Sequence, residues 1–520
     1  MFGISHGVNV GHKMSRPHSW RSKSVLLAML LTMLASLAPH RSAAQSCPDI
    51  APSDTYTCAE QASFDGDKCA KNWMQNHCCQ TCFDCDPSCY AGVTVWNESP
   101  TESYYVTTSE VYLSPNGATA CINTNNALYY VYGTVTAYNA LTGEVQFTTS
   151  SDFDVQYEGI FSSDSSVLFL VADYDNSWYY FSDRGGVVWA LNATDGSTLW
   201  MTEVSDATFQ GPGLLTSDGS LWIVRELGDV FAFDTQTGQQ VWNATLSLDD
   251  ITPLVWSRDN RHCYATSGTS IVAIDTVGGN MEVGTTIDVL LTDEVLLDVV
   301  VEPIVDDSDA TEWLVVCGSL GTVVKVSTTA WATLLVSSVG RPLESTGAIS
   351  IDGSMLFIPS LNGSVVALNT SSGAIGWSFE QPGWGFNHAV LSRSGAQVFV
   401  GTSDGPSVSY SILYSLNTAD GSTAWTFQVD SYFPAMDYAP AVSPDGRYVY
   451  VHQRTGGMDV YCLFTGEGFS NDTLPKATTA FPIESPTANS STTTEAISNG
   501  SSAMCWHLMP IVILFLLAII

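Results

Sequence analysis

Short runs of apolar, β-branched and aromatic residues alternate with polar turns along most of the chain. The run Val187–Leu191 is typical, and the turn and strand after it read Asn-Ala-Thr-Asp-Gly-Ser-Thr-Leu-Trp from Asn192 to Trp200. Asn or Asp at the head of a turn bonds its own backbone, and Gly supplies the left-handed residue of a short hairpin. The residues between turns favour half-buried strands and show no helical period. The pattern therefore predicts short strands joined by hairpins.

The segment from Asn192 to Trp200 is one of eight related copies. Close copies are Asp234–Trp242, Asn369–Trp377 and Asn417–Trp425, weaker ones are Asn139–Phe147 and Asp275–Val283, and degenerate ones lie near Thr328–Leu334 and Phe464–Phe469. The aligned glycine falls at positions 143, 196, 238, 279, 373, 421 and 466, and Trp331 replaces it in the remaining copy. A period of roughly 40–50 residues with about four strands per repeat predicts an all-β fold, a β-propeller of about eight four-stranded blades. Seven blades are the alternative, if the first copy only completes the last blade.

The tryptophan that ends the best copies has a predicted structural role. It occurs as Trp200, Trp242, Trp377 and Trp425. A large aromatic side chain contributes most when it is buried. We therefore expect each of these indoles to pack as a wedge against the next blade rather than to bind a ligand.

The repeats resemble the PQQ-like, or quinoprotein-like, β-propeller family, whose blades carry an Ala-x-Asp-x-x-Thr-Gly-x-x-x-Trp motif. The resemblance extends from Tyr104 to Phe469. For a quinoprotein dehydrogenase it implies an adjacent disulfide over the quinone PQQ, a Trp platform, Ca²⁺ ligands from Glu and Asn, and an Asp base. The one adjacent cysteine pair, Cys78 and Cys79, lies outside the repeats. We therefore predict no cofactor, with PQQ and calcium belonging only to an alternative function.

Other catalytic patterns are weak. Gly401–Gly405 matches the nucleophile-elbow pattern, but it lies between two predicted strands, whereas that motif works between a strand and a helix. Between the predicted signal peptide and the C-terminal anchor signal the histidines are His77, His262, His388 and His452, and none has a neighbouring metal ligand at the usual spacing. We predict no catalytic, cofactor-binding or metal-binding residues.

The chain is strongly acidic. Of its 17 Lys and Arg, five fall in the first 44 residues, which leaves 12 against 52 Asp and Glu. Such a surface repels nucleic acid and keeps a large β protein soluble. We therefore expect no nucleic-acid partner, and we expect a monomer.

Both ends of the chain carry signals for export to the cell surface. Residues 1–44 combine a basic stretch, an apolar core and small residues, which predicts a signal peptide. Residues 471–499 form a Ser/Thr-rich stalk, and 500–520 read as a GPI-attachment signal at Asn499 or as a transmembrane segment. Glycosylation sequons lie at Asn97, Asn192, Asn243, Asn362, Asn369, Asn471 and Asn489. The expected location is the outer face of the plasma membrane.

Residues 47–89 form a separate cysteine-rich unit before the propeller, which is assigned to 104–470. The spacing of its cysteines, including Cys47, Cys58, Cys69, Cys78, Cys82 and Cys85, resembles the ShKT module. The resemblance implies that Cys47 pairs with Cys85, Cys58 with Cys78, and Cys69 with Cys82. The Lys-Tyr pair of toxin members is missing from Met74–His77, so channel block is not expected. Cys79 and Cys89 are surplus, and Cys121, Cys263, Cys317 and Cys462 lie in the propeller, where Cys121 and Cys462 either bridge the ring or stay free.

Together these features predict a non-enzymatic cell-surface protein. It would present the propeller and the ShKT module to an extracellular protein or glycan, and a C-terminal anchor would hold it on the membrane. The alternative is a secreted or surface PQQ-dependent oxidoreductase. A propeller supports either function, because its loops and central funnel can be specialised independently of the fold.

Overall fold

A computed structural model describes the chain from residue 91 to residue 467, apart from gaps at 93, 99–104, 108, 127–132, 156, 176–183, 206, 246–250, 280, 288–292, 304–311, 404–409, 431–435, 437 and 454–458. The chain divides into two compact units, 1–476 and 477–520, and all described residues belong to the first. The predicted signal peptide, ShKT module, stalk and anchor signal lie outside the described residues.

The described chain forms 33 strands in eight sheets. The first four blades follow one another along the chain. Blade 1 comprises β2 (Tyr105–Thr107), β3 (Tyr112–Leu113), β4 (Thr119–Asn126), β5 (Gly133–Asn139) and β6 (Val145–Ser151). Blade 2 comprises β7 (Ile160–Phe161), β8 (Val167–Asp175), β9 (Arg184–Asn192) and β10 (Thr198–Ser205). Blade 3 comprises β11 (Gln210–Leu215), β12 (Leu221–Glu226), β13 (Asp229–Asp234) and β14 (Gln240–Thr245), and blade 4 comprises β15 (Val255–Trp256), β16 (His262–Ser267), β17 (Ser270–Asp275) and β18 (Met281–Thr286).

The remaining blades repeat this order. Blade 5 comprises β19 (Leu296–Val301), β20 (Trp313–Gly318), β21 (Thr322–Ser327) and β22 (Ala332–Ser338), and blade 6 comprises β23 (Ala348–Ile349), β24 (Met355–Ser360), β25 (Ser364–Asn369) and β26 (Ile375–Glu380). Blade 7 comprises β27 (Phe386–Leu391), β28 (Gln397–Thr402), β29 (Tyr410–Asn417) and β30 (Thr423–Asp430). Blade 8 comprises β31 (Ala441–Val442), β32 (Tyr448–His452), β33 (Val460–Phe464) and, as its outermost strand, β1 (Thr94–Glu98).

These sheets confirm the prediction of an all-β propeller with eight blades. Within each blade, neighbouring strands are antiparallel, and in blade 1 the innermost strand is split into β2 and β3, which both pair with β4. Every element of the described chain is a strand. This part of the chain therefore contains no helix that could span a bilayer.

The ring closes by pairing its first strand with its last. β1 pairs with β33 in antiparallel register, so the ring begins before residue 104, where the sequence assignment placed its start. The backbone N–H of Gly92 donates to Phe464 O at 2.7 Å. The turn glycines of other blades make the same bond to the carbonyl of the first residue of their turn, as Gly196 does to Asn192. Gly92, with φ of 75°, therefore takes the place in the last blade that the sequence alignment gave to Gly466.

Apolar side chains fill the contacts between neighbouring blades. Eight clusters of buried residues are present among the described residues, and each joins two adjacent blades. Cys121 belongs to the cluster between blades 1 and 2, whereas Cys462 belongs to the one between blades 8 and 1. Both are free and buried, as are Cys263 and Cys317. The ring is therefore closed by strand pairing. Of the two possibilities for Cys121 and Cys462, the structure has free thiols and no disulfide bridge between them.

Candidate binding site in the central channel

One position of the repeat, in or just before the innermost strand, carries ionisable side chains in four of the eight blades. The residues are Glu110 in blade 1, Glu158 in blade 2, Asp298 in blade 5 and His388 in blade 7. In each blade, a residue after the first strand donates its backbone N–H to the start of the second strand and closes the turn between them. These residues are Ser114, Ser162, Glu302 and Ser392, and the ionisable residue lies four positions before each of them. All four side chains are only partly buried. A single position of the repeat thus brings them to the wall of the channel.

Local irregularities of the strands aim two of these side chains. The register between β19 and β20 shifts between Leu296 and Val299, around Asp298. The register between β27 and β28 shifts in the same way around His388, between Phe386 and Ala389. An extra residue in one strand re-aims a side chain and is common beside functional sites.

The carboxylates influence one another electrostatically. Burial raises the pKa of Glu110, the charge of Glu158 raises it further, a hydrogen bond from the Ala439 N–H at 3.2 Å lowers it, and Asp298 adds a smaller rise. Three blades separate blade 1 from blade 5 on either side of the ring, so these two blades stand opposite one another. Since the charge of Asp298 reaches Glu110, we infer that both carboxylates face the central channel.

Arg225 brings a positive charge to the same channel. It lies on β12 in blade 3, and its guanidinium donates to the side-chain oxygen of Gln210 and to the carbonyl of Ile251 in blade 4. Burial raises the pKa of Glu158 and of Asp298, and Arg225 opposes the rise at both carboxyl groups. Blades 1, 2, 3 and 5 therefore contribute to one electrostatic unit.

Hydrogen bonds between blades hold the channel wall. Thr346 Oγ1 donates to Asp298 O at 2.5 Å, and Ser345 Oγ donates to Asn387 O at 2.7 Å. These bonds fix the backbone on which Asp298 and His388 stand, and burial lowers the pKa of His388. A site built on fixed strands loses little conformational entropy when a ligand binds.

The chemistry of the channel favours positively charged or hydroxyl-rich groups. Glu110, Glu158 and Asp298 face one guanidinium, so the channel offers more hydrogen-bond acceptors than fixed positive charge. Within the described ranges, no group of three or more His, Cys, Asp and Glu could hold a metal ion.

The residues of the channel do not fit PQQ. PQQ is a tricarboxylate, and Arg225 is the one guanidinium among these channel residues, so most of the negative charge of PQQ would stay unpaired there. The described propeller cysteines are Cys121, Cys263, Cys317 and Cys462, and no two are adjacent in the sequence. They therefore cannot form the adjacent disulfide that the family resemblance implies for a quinone site.

The structure separates the residues that the sequence singled out. His262, His388 and His452 lie in blades 4, 7 and 8, and His77 lies outside the described residues. Gly401 and Thr402 end β28, which pairs with β29, so the elbow pattern belongs to strands, as predicted. Among the glycosylation sequons, Asn97, Asn243 and Asn362 are exposed, Asn192 and Asn369 are half-buried at the ends of strands, and Asn471, Asn489 and the expected lipidation site Asn499 lie outside the described residues, as do the predicted disulfide cysteines.

The channel residues Glu110, Glu158, Arg225, Asp298 and His388 were not predicted as a site. The turn motifs that define the repeat lie at the outer strands, far along the sequence from the innermost strand. A signal was nevertheless present, because three acids and a histidine share a fixed position before the first turn of their blades. Alignment of the innermost strands would have revealed it.

Comparisons with known proteins agree with this architecture. A family model described as "Outer membrane protein assembly factor BamB" matches residues 90–311 and 318–505. Similar solved structures include BamB from Moraxella catarrhalis (17% identity, TM-score 0.53) and Sqt1 from Saccharomyces cerevisiae (12%, 0.54). The C-terminal WD40 domain of Sif2 is also similar (11%, 0.50), and each alignment covers 72% of this chain and 99% of the other. Among curated proteins, no significant match was found. At such identities the solved structures show the fold alone, whereas the family model matches most of the chain, which therefore belongs to the PQQ-like repeat family of the outer membrane protein assembly factor BamB.

Proposed function

We propose that this chain is a non-enzymatic binding protein of the cell surface that presents its propeller, together with a ShKT module, to an extracellular protein or glycan. The proposal is carried by the electrostatic influence of Glu158 and Asp298 on Glu110, and of Arg225 on Glu158 and Asp298, from which we infer that these residues of four blades converge on the central channel. The membership of a β-propeller family supports a binding role only at the level of the fold.

The charge of the channel suggests how a partner is recognised. A Lys or Arg side chain of a protein, or an amino group or hydroxyl of a glycan, would find carboxylate acceptors there. Burial raises the pKa values of Glu110, Glu158 and Asp298, so bringing up a positive charge favours their ionised forms. Binding through this channel is therefore expected to weaken at high salt and at low pH.

The test measures binding of the exported protein to intact cells by flow cytometry. The triple variant Glu110→Gln, Glu158→Gln, Asp298→Asn keeps the shape of the channel but cannot acquire the negative charge that a cationic partner would induce there, and we expect at least a tenfold loss of affinity, about 1.4 kcal/mol. Asp164→Asn, Asp195→Asn, Asp420→Asn replaces the same number of carboxyl groups on exposed turns and serves as the control. Equal affinity of both triple variants and the wild type would show that the channel does not bind the partner.

The alternative, a PQQ-dependent oxidoreductase, rests on the family resemblance. It is tested by adding PQQ and Ca²⁺ to the purified protein and following dye-linked dehydrogenase activity. We expect no PQQ binding, because the channel residues offer one guanidinium, Arg225, to the three carboxylates of PQQ. Tight PQQ binding with dye reduction would replace the binding function by an enzymatic one.

The surface location is part of the same proposal. We expect the Ser/Thr-rich stalk to carry a GPI anchor near Asn499, and a phosphatidylinositol-specific phospholipase should then release the protein from intact cells. Retention on the membrane, with recovery of a peptide from residues 511–520, would identify a transmembrane anchor instead.

A further inference from the structure

The contact between blades 4 and 5 departs from the wedge pattern. At six other contacts an aromatic side chain of one blade covers the turn glycine of the next: Trp96 covers Gly143, Phe147 covers Gly196, Trp200 covers Gly238, Trp242 covers Gly279, Trp377 covers Gly421, and Trp425 covers Gly92. Blade 4 has no tryptophan in its outer strand β18, and blade 5 has Trp331 at the glycine position, with φ of 49°. At this contact the aromatic ring therefore comes from blade 5, which carries the turn, and not from the preceding blade 4.

A cavity opens where the usual wedge is missing. Its volume is about 290 Å³, and its lining includes Arg258, Asp259, His262, Tyr264, Glu312 and Trp331. This volume is at the lower end of the range of ligand sites, which suits a small molecule or a single unit of a polymer. The lining is mainly polar, with the rings of Trp331 and Tyr264 as most of its apolar part, which suits a hydroxyl-rich ligand better than an apolar one.

Hydrogen bonds across the two blades hold the inner wall of this cavity. Glu312 is only 9% exposed, and its carboxylate accepts from Tyr264 Oη at 2.6 Å and from the Arg258 N–H at 2.6 Å. The Arg258 guanidinium donates to Glu302 O in blade 5, at 2.7 Å from Nη2. Trp331 stands edge-on to Tyr264, with ring centroids 6.2 Å apart. The wall is therefore preorganised, and both oxygens of the Glu312 carboxylate already accept hydrogen bonds from blade 4.

Asp259 and His262 supply polar groups at the same cavity. Every hydrogen bond that the described residues make to Asp259 goes to Oδ1, from Ser257 Oγ at 2.8 Å and from the Arg261 N–H at 3.0 Å. Burial tends to raise the pKa of Asp259, but these bonds outweigh it and keep the carboxyl ionised. The carboxylate is thus fixed in place with its other oxygen available as an acceptor, and the His262 ring can donate or accept.

We propose that this cavity between blades 4 and 5 binds one neutral saccharide unit. The apolar face of a sugar ring would pack on Trp331, and its hydroxyl groups would bond the Asp259 carboxylate and the His262 ring. An anionic ligand is disfavoured because Asp259 and Glu312 both line the cavity. The inference rests on the proposed function: it makes a glycan the partner and adds, beside the central channel, a second site for one of its sugar units.

The test uses the full-length protein and the methyl glycosides of glucose, galactose, mannose and N-acetylglucosamine as probes. Saturation-transfer NMR detects binding, and titration gives the affinity. Trp331→Gly removes the indole and restores the residue that most repeats have, which suits the positive φ of this turn. Asp259→Asn keeps the acceptor oxygen of the turn and removes the charge. Asp445→Asn changes the equivalent turn of blade 8, where Ser443 Oγ donates to Asp445 at 2.6 Å, and is the matched control.

We expect at least one glycoside to bind, with affinity reduced at least tenfold by Trp331→Gly and at least fivefold by Asp259→Asn, and unchanged by Asp445→Asn. Thermal melting establishes that each variant is folded. If a glycoside binds all four proteins equally, the cavity is not the saccharide site, although a glycan partner would stand. If no glycoside binds while cell binding still depends on the channel acids, the saccharide inference falls and the proposed binding function remains.

Discussion

Single buried acids determine how the ring responds to pH. Asp173 lies on β8 and accepts a hydrogen bond from the Phe209 N–H at 3.1 Å. The net pKa of Asp173 is raised to about 7. Burial is the largest cause, the Phe209 bond opposes it, and the charges of Asp154 and Glu226 add to the rise. The unfolded pKa of Asp is about 3.9. The protonated form is therefore favoured by folding, and the stabilising contribution, complete below about pH 4, is lost as the pH rises through 7.

We expect Asp173→Asn to stabilise the protein at pH 8 and to change little at pH 4. The amide still accepts from the Phe209 N–H but carries no charge, so ionisation in a buried position no longer opposes folding. The expected gain at pH 8 is about 1–3 kcal/mol in the free energy of unfolding, measured by urea denaturation. Asp195→Asn is the control, because hydrogen bonds from Ser197 lower the pKa of this exposed carboxyl. A variant no more stable than wild type at pH 8 would show that Asp173 ionises freely.

At the scale of the element, wedge aromatic side chains connect most neighbouring blades by packing, and four of the tryptophans add a hydrogen bond. Their indole N–H groups donate to backbone carbonyls of the following blade: Trp96 to Ala140, Trp200 to Thr235 and Trp377 to Thr418 at 2.9 Å, and Trp425 to Thr465 at 3.2 Å. The predicted structural role is confirmed, since a Cβ at Gly238 would lie 2.3 Å from Trp200. A turn that a wedge tryptophan covers needs glycine because the neighbouring indole occupies the space.

Trp242→Ala is expected to lower the free energy of unfolding by roughly 3–5 kcal/mol, as large-to-small substitutions in a core do. Trp242 covers Gly279, so its removal opens a void between blades 3 and 4. Leu334→Ala is the comparison, because Leu334 is 59% exposed and its loss should change stability by less than about 0.5 kcal/mol. Equal melting temperatures for the two variants would contradict a wedge role for Trp242.

The sequence predicted those elements whose signal is local and repeated. Gly and Trp at fixed spacing identified Trp200, Trp377 and Trp425 as wedges, because one turn and its strand contain both residues. Trp96 follows Gly92 at the same spacing, but the pairing of β1 with β33 joins residues far apart in sequence, which a local pattern cannot show. Glu110 and Asp298 face one another only after the ring has closed. Their site depends on the number of blades, and the sequence left both seven and eight open.

At the scale of the whole molecule, the ring depends on strand pairing and packing, without a disulfide among its described residues. Cys121, Cys263, Cys317 and Cys462 are free and buried. Burial raises the pKa of Cys263 to about 12, and it raises the pKa values of the other three thiols as well. Protonated, inaccessible thiols react slowly with oxidants and alkylating reagents.

Mild reduction should therefore leave the propeller folded. We expect the melting transition of its β-sheet circular dichroism to be unchanged by reductant, whereas the predicted ShKT module at 47–89 should lose its structure, because so small a unit depends on disulfides. Proteolysis of the reduced protein should then cleave the 47–89 segment and spare the ring. A large fall in the melting temperature of the propeller would mean that a disulfide links the two parts or closes the ring.

The pairing of β1 with β33 has a mechanical consequence. Thr94 pairs with Leu463 and Glu98 with Val460, so the chain enters β1 at the same end of the pair at which it leaves β33. Tension between these two points pulls across the pair and breaks its hydrogen bonds one after another, as when a hairpin is opened from its free ends. Each bond contributes only about 1 kcal/mol, so little force is needed at any moment. When the molecule is pulled from both ends, we expect β1 to separate from β33 in blade 8 while the other seven blades are still intact.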